Sequence, residues 1–487
     1  MSAEAVWTRE THRSLLARPD PFDVVVVGGG VTGAGAALDL AARGLEVAVV
    51  ERSDFAQGTS SRSTKLFHGG IRYLPQFHLG LVSEGLREQK VLARVADFLY
   101  HPLEFVIPMY AQYGIADAPE WAARGWRAPL ALRAGLMAYD VLGGWGRPGS
   151  RHRRVGSAEL LAALPTLRAE GLERGFVYSD AQTDDARLVI GLLKTAVARY
   201  GAVAANRVEV ESVAADSPFT VRAVDRLDGE RFTLRARTVL AATGAFDPPG
   251  LSGAGIGLKM VRSKGSHLIV DSDVLQLGDR ALVLPETDDG RVLYIVPWLG
   301  HSMIGTTDTP YSSDPAHPVA TAEDTDYLVR HVRRYLDVEE FRPLSTFAGL
   351  RALKDTGSGS TSRASREHVI EEPVPGYIQV AGGKLTTYRK IAAEAADAVA
   401  HALGVSARSS TDSIPLLGAG ADRAAVTSTL RSVGVTGTAV DATFGRNGGD
   451  ALRIARLIET DPALAESLGD GRTTRADVVH AVRHEGA

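Results

Sequence analysis

The chain contains no cysteine among its 487 residues. This absence excludes disulfide bonds, thiolate metal sites, iron–sulfur clusters, cysteine nucleophiles and dithiol redox relays. If the protein transfers electrons, a group other than sulfur must therefore carry them.

The chain also lacks an excess of positive charge and a long apolar run. Its 54 Lys and Arg stand against 58 Asp and Glu, a net charge of -4, so we expect no nucleic-acid partner. No apolar stretch approaches the ~18 residues of a spanning helix, and the N-terminus does not have the pattern of a signal peptide. These features predict a cytoplasmic protein and leave open a peripheral position on the inner face of the cell membrane.

The residues that are present are typical of a large globular enzyme. The chain is 45% hydrophobic and 23% charged, so it has enough apolar surface for a core. Its length predicts about three domains or one large two-part enzyme, and it excludes a single small binding module.

The first clear pattern is a βαβ unit of about 30 residues. Residues 23–27 form a β-branched apolar run, which predicts a strand buried on both faces. An Ala- and Leu-rich helix over 31–43 follows, and a second strand is predicted over 46–50. Such a unit is the usual frame of a dinucleotide site.

The turn of this unit has the G-x-G-x-x-G spacing, formed by Gly28, Gly30 and Gly33. Glycine there permits a tight turn, a close approach of the pyrophosphate to the backbone, and close packing of helix on strand. Glu51, at the end of the second strand, is suited to hydrogen bonding ribose hydroxyls and would repel a 2′-phosphate. The pattern therefore favours FAD or NAD over NADP.

Two further apolar segments, 238–242 and 377–381, also run directly into glycine, and a helix is predicted over about 384–403. Strand–glycine junctions far apart in sequence predict one nucleotide-binding domain assembled from separate segments. Between them, 281–307 alternates strands and turns, which predicts an antiparallel meander in a second domain.

The region after about 405 has helical patterns over 423–433, 450–460 and 474–483. It predicts a small helical domain at the end of the chain.

A hydroxyl- and glycine-rich loop over 53–74 follows Glu51 and offers many donors to a second part of an extended cofactor. It also contains His68, Arg72 and Tyr73 beside paired glycines. Loops near cofactors often carry chemistry, so these residues are candidates for the active site.

Several of these segments together resemble the FAD-dependent, quinone-linked glycerol-3-phosphate dehydrogenases. The resemblance extends from about residue 20 to 485, and the order, spacing and residue types of the motifs all match. The matching stretches are 23–51, 58–74, 178–188 (YSDAQTDDARL), 264–267 (KGSH), 305–308 (GTTD), 349–353 (GLRAL) and 382–390 (GGKLTTYRK).

The resemblance implies an α/β (α+β) fold: a glutathione-reductase-type FAD-binding domain, an antiparallel substrate domain and a small C-terminal helical domain. Family chains continue past the equivalent of His484-Glu485 with another helical segment, so we expect the last domain to be incomplete. The predicted divisions are a tail at 1–20, the FAD-binding domain at 21–100, 171–256 and 346–405, the substrate domain at 101–170 and 257–345, and the helical domain at 406–487.

The resemblance also implies a reaction and its partners. It implies FAD-dependent oxidation of sn-glycerol 3-phosphate to dihydroxyacetone phosphate, with electrons passed to a membrane quinone, and we expect a homo-oligomer. Three alternatives stay open: an oxidase that uses O₂ on the same substrate, an amine or amino-acid dehydrogenase on the same fold, and a non-catalytic FAD-binding sensor. The matched cations argue against the second, and the intact matched residues argue against the third.

Oxidation of the C2 alcohol needs a hydride acceptor, which a flavin supplies, a base for the hydroxyl proton, and cations for the phosphate. The resemblance assigns Arg72, Arg351, Arg366 and Lys384 to the phosphate, where guanidinium and ammonium groups are well suited. Tyr73 is a candidate hydrogen-bond partner of the substrate.

Lys384 has a second predicted role beside the flavin ring, where its charge would stabilise the reduced cofactor. Arg351 is the other cation assigned to the catalytic set. His68 and His267 are both candidates for the base, because histidine titrates near the working pH.

The cofactor contacts implied by the resemblance lie in four of the matched segments. They are Gly28, Gly30, Gly33, Glu51, Thr59, Ser60, Ser61, Thr64, Lys65, Thr243, Gly244, Gly383, Lys384, Leu385 and Thr386.

Asp184, Asp185 and Arg187 form a charged group that lacks the further ligands of a metal site. We predict that an aspartate here caps a helix that begins near Arg187, and we predict no metal.

The segment 120–154 carries seven arginines against two acids, with tryptophan and leucine between them. Arginine with tryptophan and leucine on a helix is typical of a membrane-surface contact. A helical subdomain with a basic outer face is the other interpretation. The apolar residues in question are Trp121, Trp126, Leu130, Leu136, Met137, Tyr139, Leu142 and Trp145.

Overall fold

The computed structural model describes residues 7–71, 79–116, 118–144, 151–250, 260–354 and 368–487. These residues form two β-sheets with helices packed against them. The helices are α1 (Arg9–Leu16), α2 (Val31–Ala42), α3 (Leu79–Val95), α4 (Glu120–Ala123), α5 (Arg127–Leu142), α6 (Ser157–Ala163), α7 (Asp185–Tyr200), α8 (Ser272–Leu275), α9 (Ala322–Tyr335), α10 (Tyr388–Leu403), α11 (Arg423–Ser432), α12 (Thr438–Asn447), α13 (Ala451–Thr460) and α14 (Arg475–His484).

The strands divide between the two sheets. They are β1 (Phe22–Val27), β2 (Val47–Val50), β3 (Leu66–Phe67), β4 (His101–Tyr110), β5 (Arg153–Gly156), β6 (Leu172–Gln182), β7 (Val203–Ala205), β8 (Val208–Ala214), β9 (Phe219–Asp225), β10 (Arg231–Ala241), β11 (Met260–Asp271), β12 (Arg280–Leu284), β13 (Leu293–Trp298), β14 (His301–Gly305), β15 (Thr309–Pro310), β16 (Ser345–Lys354), β17 (Val369–Val374) and β18 (Tyr377–Ala381).

The first sheet has the order β17-β18-β10-β1-β2-β7, with β8 and β9 continuing from β10. Its central strand β1 is apolar except for Asp23, because both of its faces are covered. Val24 and Val26 pack with α2, α7 and α10, whereas Val25 and Val27 pack with β8, β9 and α1. This arrangement confirms the buried strand predicted for 23–27.

The three predicted strand–glycine junctions meet at one edge of this sheet. Strand β10 lies between β1 and β18 and is parallel to both. Parallel neighbours end at the same edge, so the turns after residues 27, 241 and 381 are side by side. The prediction that these distant segments assemble into one unit is confirmed.

The second sheet has the order β15-β11-β14-β13-β12-β4-β6-β3, with β16 on β11 and β5 on β6. Strands β12, β13 and β14 form the antiparallel meander predicted for 281–307. Helix α9 packs against this sheet through Leu328, Val332 and Tyr335.

Two parts of the sequence-based division differ from the observed pairing. Strands β6 and β16 fall in ranges assigned to the FAD-binding domain, yet both hydrogen bond into the second sheet. The predicted tail 1–20 contains α1. Trp7, just before this helix, anchors it to the first sheet, because the indole N–H donates to the Ala204 carbonyl over 2.9 Å. Local sequence patterns do not encode which strands pair across long sequence separations. The exact domain boundaries therefore stay a prediction.

The final helices α11, α13 and α14 match the three predicted helical segments within about two residues at each end, whereas α12 was not predicted. They are joined to α7 by buried ion pairs. Glu485 binds both Arg187 and Lys194, and Asp450 binds Lys194 over 2.6 Å. Within the described residues, each helix is too short or too polar to cross a lipid bilayer.

Candidate active site

A cavity of about 1110 Å³ lies at the edge where β1, β10 and β18 end and reaches into the second sheet. Its volume exceeds the ~300–1,000 Å³ range of ordinary ligand pockets, which suits an extended cofactor together with a substrate. It is lined by backbone from all three glycine junctions and by side chains of β11 and β16.

The glycine turn after β1 has no room for side chains. A Cβ at Gly33 would overlap the carbonyl oxygen of Gly28, and one at Gly28 would lie 2.5 Å from the Ala242 oxygen. Gly28 also has a φ of +114°. Helix α2 then begins after Gly30, which has no side chain to cap it, and the Val31 N–H donates to Ser60 Oγ over 2.9 Å. A glycine turn at a helix N-terminus is suited to a pyrophosphate, so the turn fits a dinucleotide.

Glu51 fixes the turn from the adjacent strand end. One carboxylate oxygen accepts the Gly29 N–H and the other accepts the Ser53 N–H, each over 2.8 Å. Burial raises the pKa of this carboxyl. Each carboxylate oxygen can accept a further hydrogen bond, so the geometry leaves room for a ribose hydroxyl. The contact to the ribose itself stays a prediction.

Most of the predicted cofactor residues line the cavity, and three do not. Gly33 packs helix against turn, while Ser61 and Lys65 are directed away from the cavity. Lys65 Nζ binds Asp185 over 2.6 Å and the Ser61 carbonyl over 3.0 Å. The predicted residues that line the cavity are Gly28, Gly30, Glu51, Thr59, Ser60, Thr64, Thr243, Gly244, Gly383, Lys384, Leu385 and Thr386.

Three of the sequence motifs meet at one point of the second sheet. Strand β11 carries KGSH and lies between β14, which leads into GTTD, and β16, which carries GLRAL. A Cβ at Gly305 would overlap the His267 ring, and one at Gly265 would lie 2.7 Å from Arg351 Nη2. The glycines of these motifs therefore provide the space in which His267 and Arg351 lie.

His267 is held as a neutral, buried imidazole. Its ring stacks on Phe347 with centroids 4.7 Å apart, and its Nε2 lies 3.0 Å from Thr64 Oγ1. Burial, and secondarily the charge of Arg351, lowers its pKa to about 3. Its Nδ1 is buried and has no hydrogen-bond partner among the described residues. A buried polar atom of this kind is expected where a ligand or water binds.

Arg351 projects into the cavity beside this histidine. Its Nη1 donates to the Thr307 carbonyl over 3.2 Å and its Nη2 to Thr306 Oγ1 over 3.3 Å. A second guanidinium, that of Arg62, also lines the cavity, and burial lowers its pKa. The sequence analysis did not assign a role to Arg62, although it lies in the hydroxyl-rich loop that was singled out.

His68 brings the described part of the loop, residues 58–71, against the last glycine junction. Its backbone N–H donates to Thr386 Oγ1 over 3.1 Å, and His68, Thr386 and Lys384 all line the cavity. The helix predicted from Lys384 begins differently: Leu385–Thr387 form a 3₁₀ turn, and α10 starts at Tyr388. The tighter turn directs Thr386 toward His68.

Three predicted substrate contacts, Arg72, Tyr73 and Arg366, lie outside the described residues. The predicted helix cap is confirmed, because the Asp184 side chain accepts the Arg187 N–H over 3.0 Å at the start of α7. The neighbouring Asp185 instead binds Lys65 and Ser63, a role that the sequence did not predict.

The parallel sheet with its glycine turns, the large cavity and the adjoining antiparallel sheet define a dinucleotide-dependent oxidoreductase. Residues 23–398 match the family described as FAD dependent oxidoreductase. The chain is 40% identical to a glycerol-3-phosphate dehydrogenase of Mycobacterium leprae over 414 residues, which are 82% of this chain and 67% of the relative. It is 36% identical to an aerobic glycerol-3-phosphate dehydrogenase of Staphylococcus aureus, over 81% of this chain and 70% of the relative.

Among solved structures, the fold is similar to that of a Bacillus halodurans glycerol-3-phosphate dehydrogenase complexed with FAD. The TM-score is 0.77 at 28% identity, over 99% of this chain and 86% of that one. The chain therefore belongs to the FAD-dependent glycerol-3-phosphate dehydrogenase family of flavoprotein oxidoreductases, and its cofactor is FAD.

Proposed function

We propose that the protein oxidises sn-glycerol 3-phosphate to dihydroxyacetone phosphate and passes the electrons to a membrane quinone. The observation that carries this proposal is the pairing of a histidine and an arginine, His267 and Arg351, at the wall of the dinucleotide cavity. The names of the most similar relatives support the same substrate. When bound, FAD supplies the acceptor for the hydride of the substrate carbinol.

The cations of the cavity fit a dianionic phosphate. Arg351 and Lys384 are predicted to bind it, and Arg62 lies on the same wall. Guanidinium groups bind phosphate oxygens in pairs, and each charged hydrogen bond contributes more than a neutral one. An amine or amino-acid substrate would not require this set.

His267 is suited to accept the hydroxyl proton once the substrate is bound. Its neutral imidazole can accept a proton, although its low pKa makes it a weak base in the free protein. Burial is the main cause of this low pKa, and the positive charge of Arg351 is the second. A phosphate bound at Arg351 offsets that charge, so substrate binding raises the pKa of His267 and makes it a stronger base. His68, which also lines the cavity, is the other candidate.

The proposal is tested by titrating the FAD-loaded protein with glycerol 3-phosphate under anaerobic conditions while the flavin absorbance is followed. We expect the flavin to bleach as substrate is added. Flavin that stays oxidised with this substrate, but is reduced by dithionite, would reject the proposed substrate.

Arg351→Ala provides a test of the phosphate site. We expect the substrate concentration for half-reduction to rise about 10- to 100-fold, because a charged hydrogen-bond partner is lost. The FAD content should not change. Arg330→Ala, which removes an exposed arginine on α9, serves as the matched control and should behave as the wild type.

The electron acceptor is tested separately. A quinone-linked enzyme reduces a quinone analogue anaerobically and forms little peroxide in air. Stoichiometric peroxide with slow quinone reduction would instead identify an oxidase that uses O₂.

A surface on α4 and α5 supports attachment to a bilayer. Trp121, Trp126 and Leu130 are 63%, 73% and 57% exposed, and Met137 and Val141 continue the same exposed side of α5. Exposed Arg127 and Arg133 lie among them. Exposed tryptophan and leucine beside arginine favour an anionic lipid surface. Leu136 and Tyr139, predicted for this surface, are buried, and Trp145 lies outside the described residues.

A further inference from the structure

We propose that Tyr139 and Asp180 are positioning residues that hold the segment 66–71, and with it His68, in the place required for oxidation of the substrate. This inference rests on the proposed function. Both residues lie outside the cavity lining. The sequence predicts Tyr139 only as part of the membrane-surface segment, and it predicts no role for Asp180.

The hydrogen bonds converge on one oxygen of Asp180, which lies on β6. The Tyr139 hydroxyl, from α5, donates to Oδ1 over 2.5 Å, and Gln89 Nε2, from α3, donates to it over 2.8 Å. Three elements that are distant in sequence thus meet beneath the segment.

The same groups bind the backbone of the segment itself. The Tyr139 hydroxyl accepts the Gly69 N–H over 2.8 Å, and Gln89 Nε2 also donates to the Phe67 carbonyl over 2.5 Å. The two peptide groups on either side of His68 are therefore each tied to the network. On the cavity side, the His68 N–H binds Thr386, so the residue is fixed from both directions.

Steric packing restricts the segment further. A Cβ at Gly69 would lie 2.5 Å from the Tyr139 hydroxyl oxygen and 2.7 Å from Leu86. The backbone at Gly69 also packs directly against Gly85 of α3. Glycine at these positions permits the close approach that the hydrogen bonds need.

The cost of burying this carboxyl indicates a role beyond packing. Asp180 is 3% exposed, and its Oδ2 has no hydrogen-bond partner among the described residues. Burial raises its pKa to about 7 in spite of three hydrogen-bond donors. A buried carboxyl that is only partly satisfied destabilises a fold, and such groups are concentrated at functional sites.

Tyr139→Phe removes one hydroxyl and keeps the ring. We expect kcat for glycerol 3-phosphate to fall about tenfold with KM nearly unchanged, because a displaced His68 misaligns the reacting groups without weakening phosphate binding. Amide hydrogen exchange in peptides covering 66–71 should become faster in the same variant, since the Gly69 N–H loses its nearer acceptor and keeps only the long contact of 3.4 Å to Asp180 Oδ1. Asp180→Asn, which keeps the shape of the side chain, should accelerate the same amides.

Tyr178→Phe is the matched control. Tyr178 is an equally buried tyrosine whose ring packs edge-on against that of Tyr139 at 6.0 Å. The Tyr178→Phe variant should have the same kcat and the same amide exchange in 66–71 as the wild type. All variants should retain FAD and the melting temperature of the folded protein within a few degrees.

Two results would overturn the inference. If the wild type is active and Tyr139→Phe has the same kcat, the network does not position His68 for the reaction. Faster exchange throughout the protein, with lost FAD, would show a general role in folding. Failure of the proposed function is distinct from both, because the wild-type flavin would then not be reduced by glycerol 3-phosphate at all.

Discussion

His267 and Asp180 are both buried titratable residues, and burial shifts their pKa values in opposite directions. The imidazole loses its proton more readily because burial disfavours its charged form, which is cationic. The carboxyl holds its proton more strongly because its charged form is anionic. Each residue is therefore biased toward neutrality, and each keeps an unpartnered polar atom among the described residues.

Asp180 makes the stability of the protein depend on pH. Its pKa is about 7 in the fold and near 4 in an unfolded chain, so the folded state holds the proton between these values. Its contribution is complete below about pH 4 and is lost as the pH rises through 7. From pH 5 to 8, we expect the free energy of unfolding of the wild type to fall by roughly 2–3 kcal/mol relative to Asp180→Asn.

Urea unfolding of the FAD-saturated proteins at several pH values measures this difference. A difference that is constant from pH 5 to 8 would contradict the raised pKa. The comparison with the variant removes the contributions of all other titratable groups.

At the scale of elements, the unit β1–α2–β2 shows how local chemistry positions the cofactor turn. Apolar residues on both faces of β1 require cover on both sides, and the glycine spacing lets α2 pack closely enough to provide it. The turn that results exposes backbone rather than side chains to the cavity. The packing of one helix and the binding of the dinucleotide therefore depend on the same residues.

Gly33→Ala separates packing from helix propensity. Alanine favours a helix by about 1 kcal/mol over glycine, so propensity alone predicts stabilisation. We expect the reverse, with a lower melting temperature and loss of bound FAD, because the Cβ overlaps the Gly28 carbonyl oxygen. Purified FAD content and thermal unfolding measure both effects.

Gly80→Ala is the control, since this α3 glycine has open space at its Cβ position. It should be neutral or slightly stabilising. Equal behaviour of the two variants would show that the close approach at Gly33 is not required.

At the scale of the whole molecule, α5 has one side exposed at the surface and the other side packed in the interior. Its exposed side carries Trp126, Leu130 and arginines, and its buried side supplies Tyr139 to the segment around His68. The cavity opens between two sheets that are each built from distant segments. The proposed lipid-facing surface and the tyrosine that binds the segment around His68 therefore lie on opposite sides of one helix.

We expect the double variant Trp126→Ser/Leu130→Ser to lose about tenfold in co-sedimentation with anionic lipid vesicles, because two exposed apolar anchors are removed. Leu227→Ser, at an equally exposed leucine in the turn between β9 and β10, is the control and should bind as the wild type. Binding by the double variant equal to that of the wild type would instead favour a helical subdomain with a basic outer face.

Local patterns were sufficient for much of the fold. The strand at 23–27, the strand at 377–381 and three of the four helices after 405 were predicted within about two residues, since hydrophobic periodicity and glycine stops act over a few positions. Helix α12 was not predicted. The 3₁₀ turn at Leu385–Thr387 was not predicted, because it depends on what the turn packs against. Lys65 was predicted beside the cofactor, but its ammonium binds Asp185, which lies 120 residues away.

The sequence by itself determined that cysteine sulfur cannot carry electrons here, that a dinucleotide turn follows the first strand, and which motifs carry candidate chemistry. These conclusions rest on residue types and short spacings, which a linear chain displays directly. Only the tertiary structure decided that KGSH, GTTD and GLRAL surround one histidine and one arginine. It alone brought Gln89, Tyr139 and Asp180 together beneath His68. Such contacts arise when strands and helices distant in sequence pack around a common core, and no local pattern specifies them.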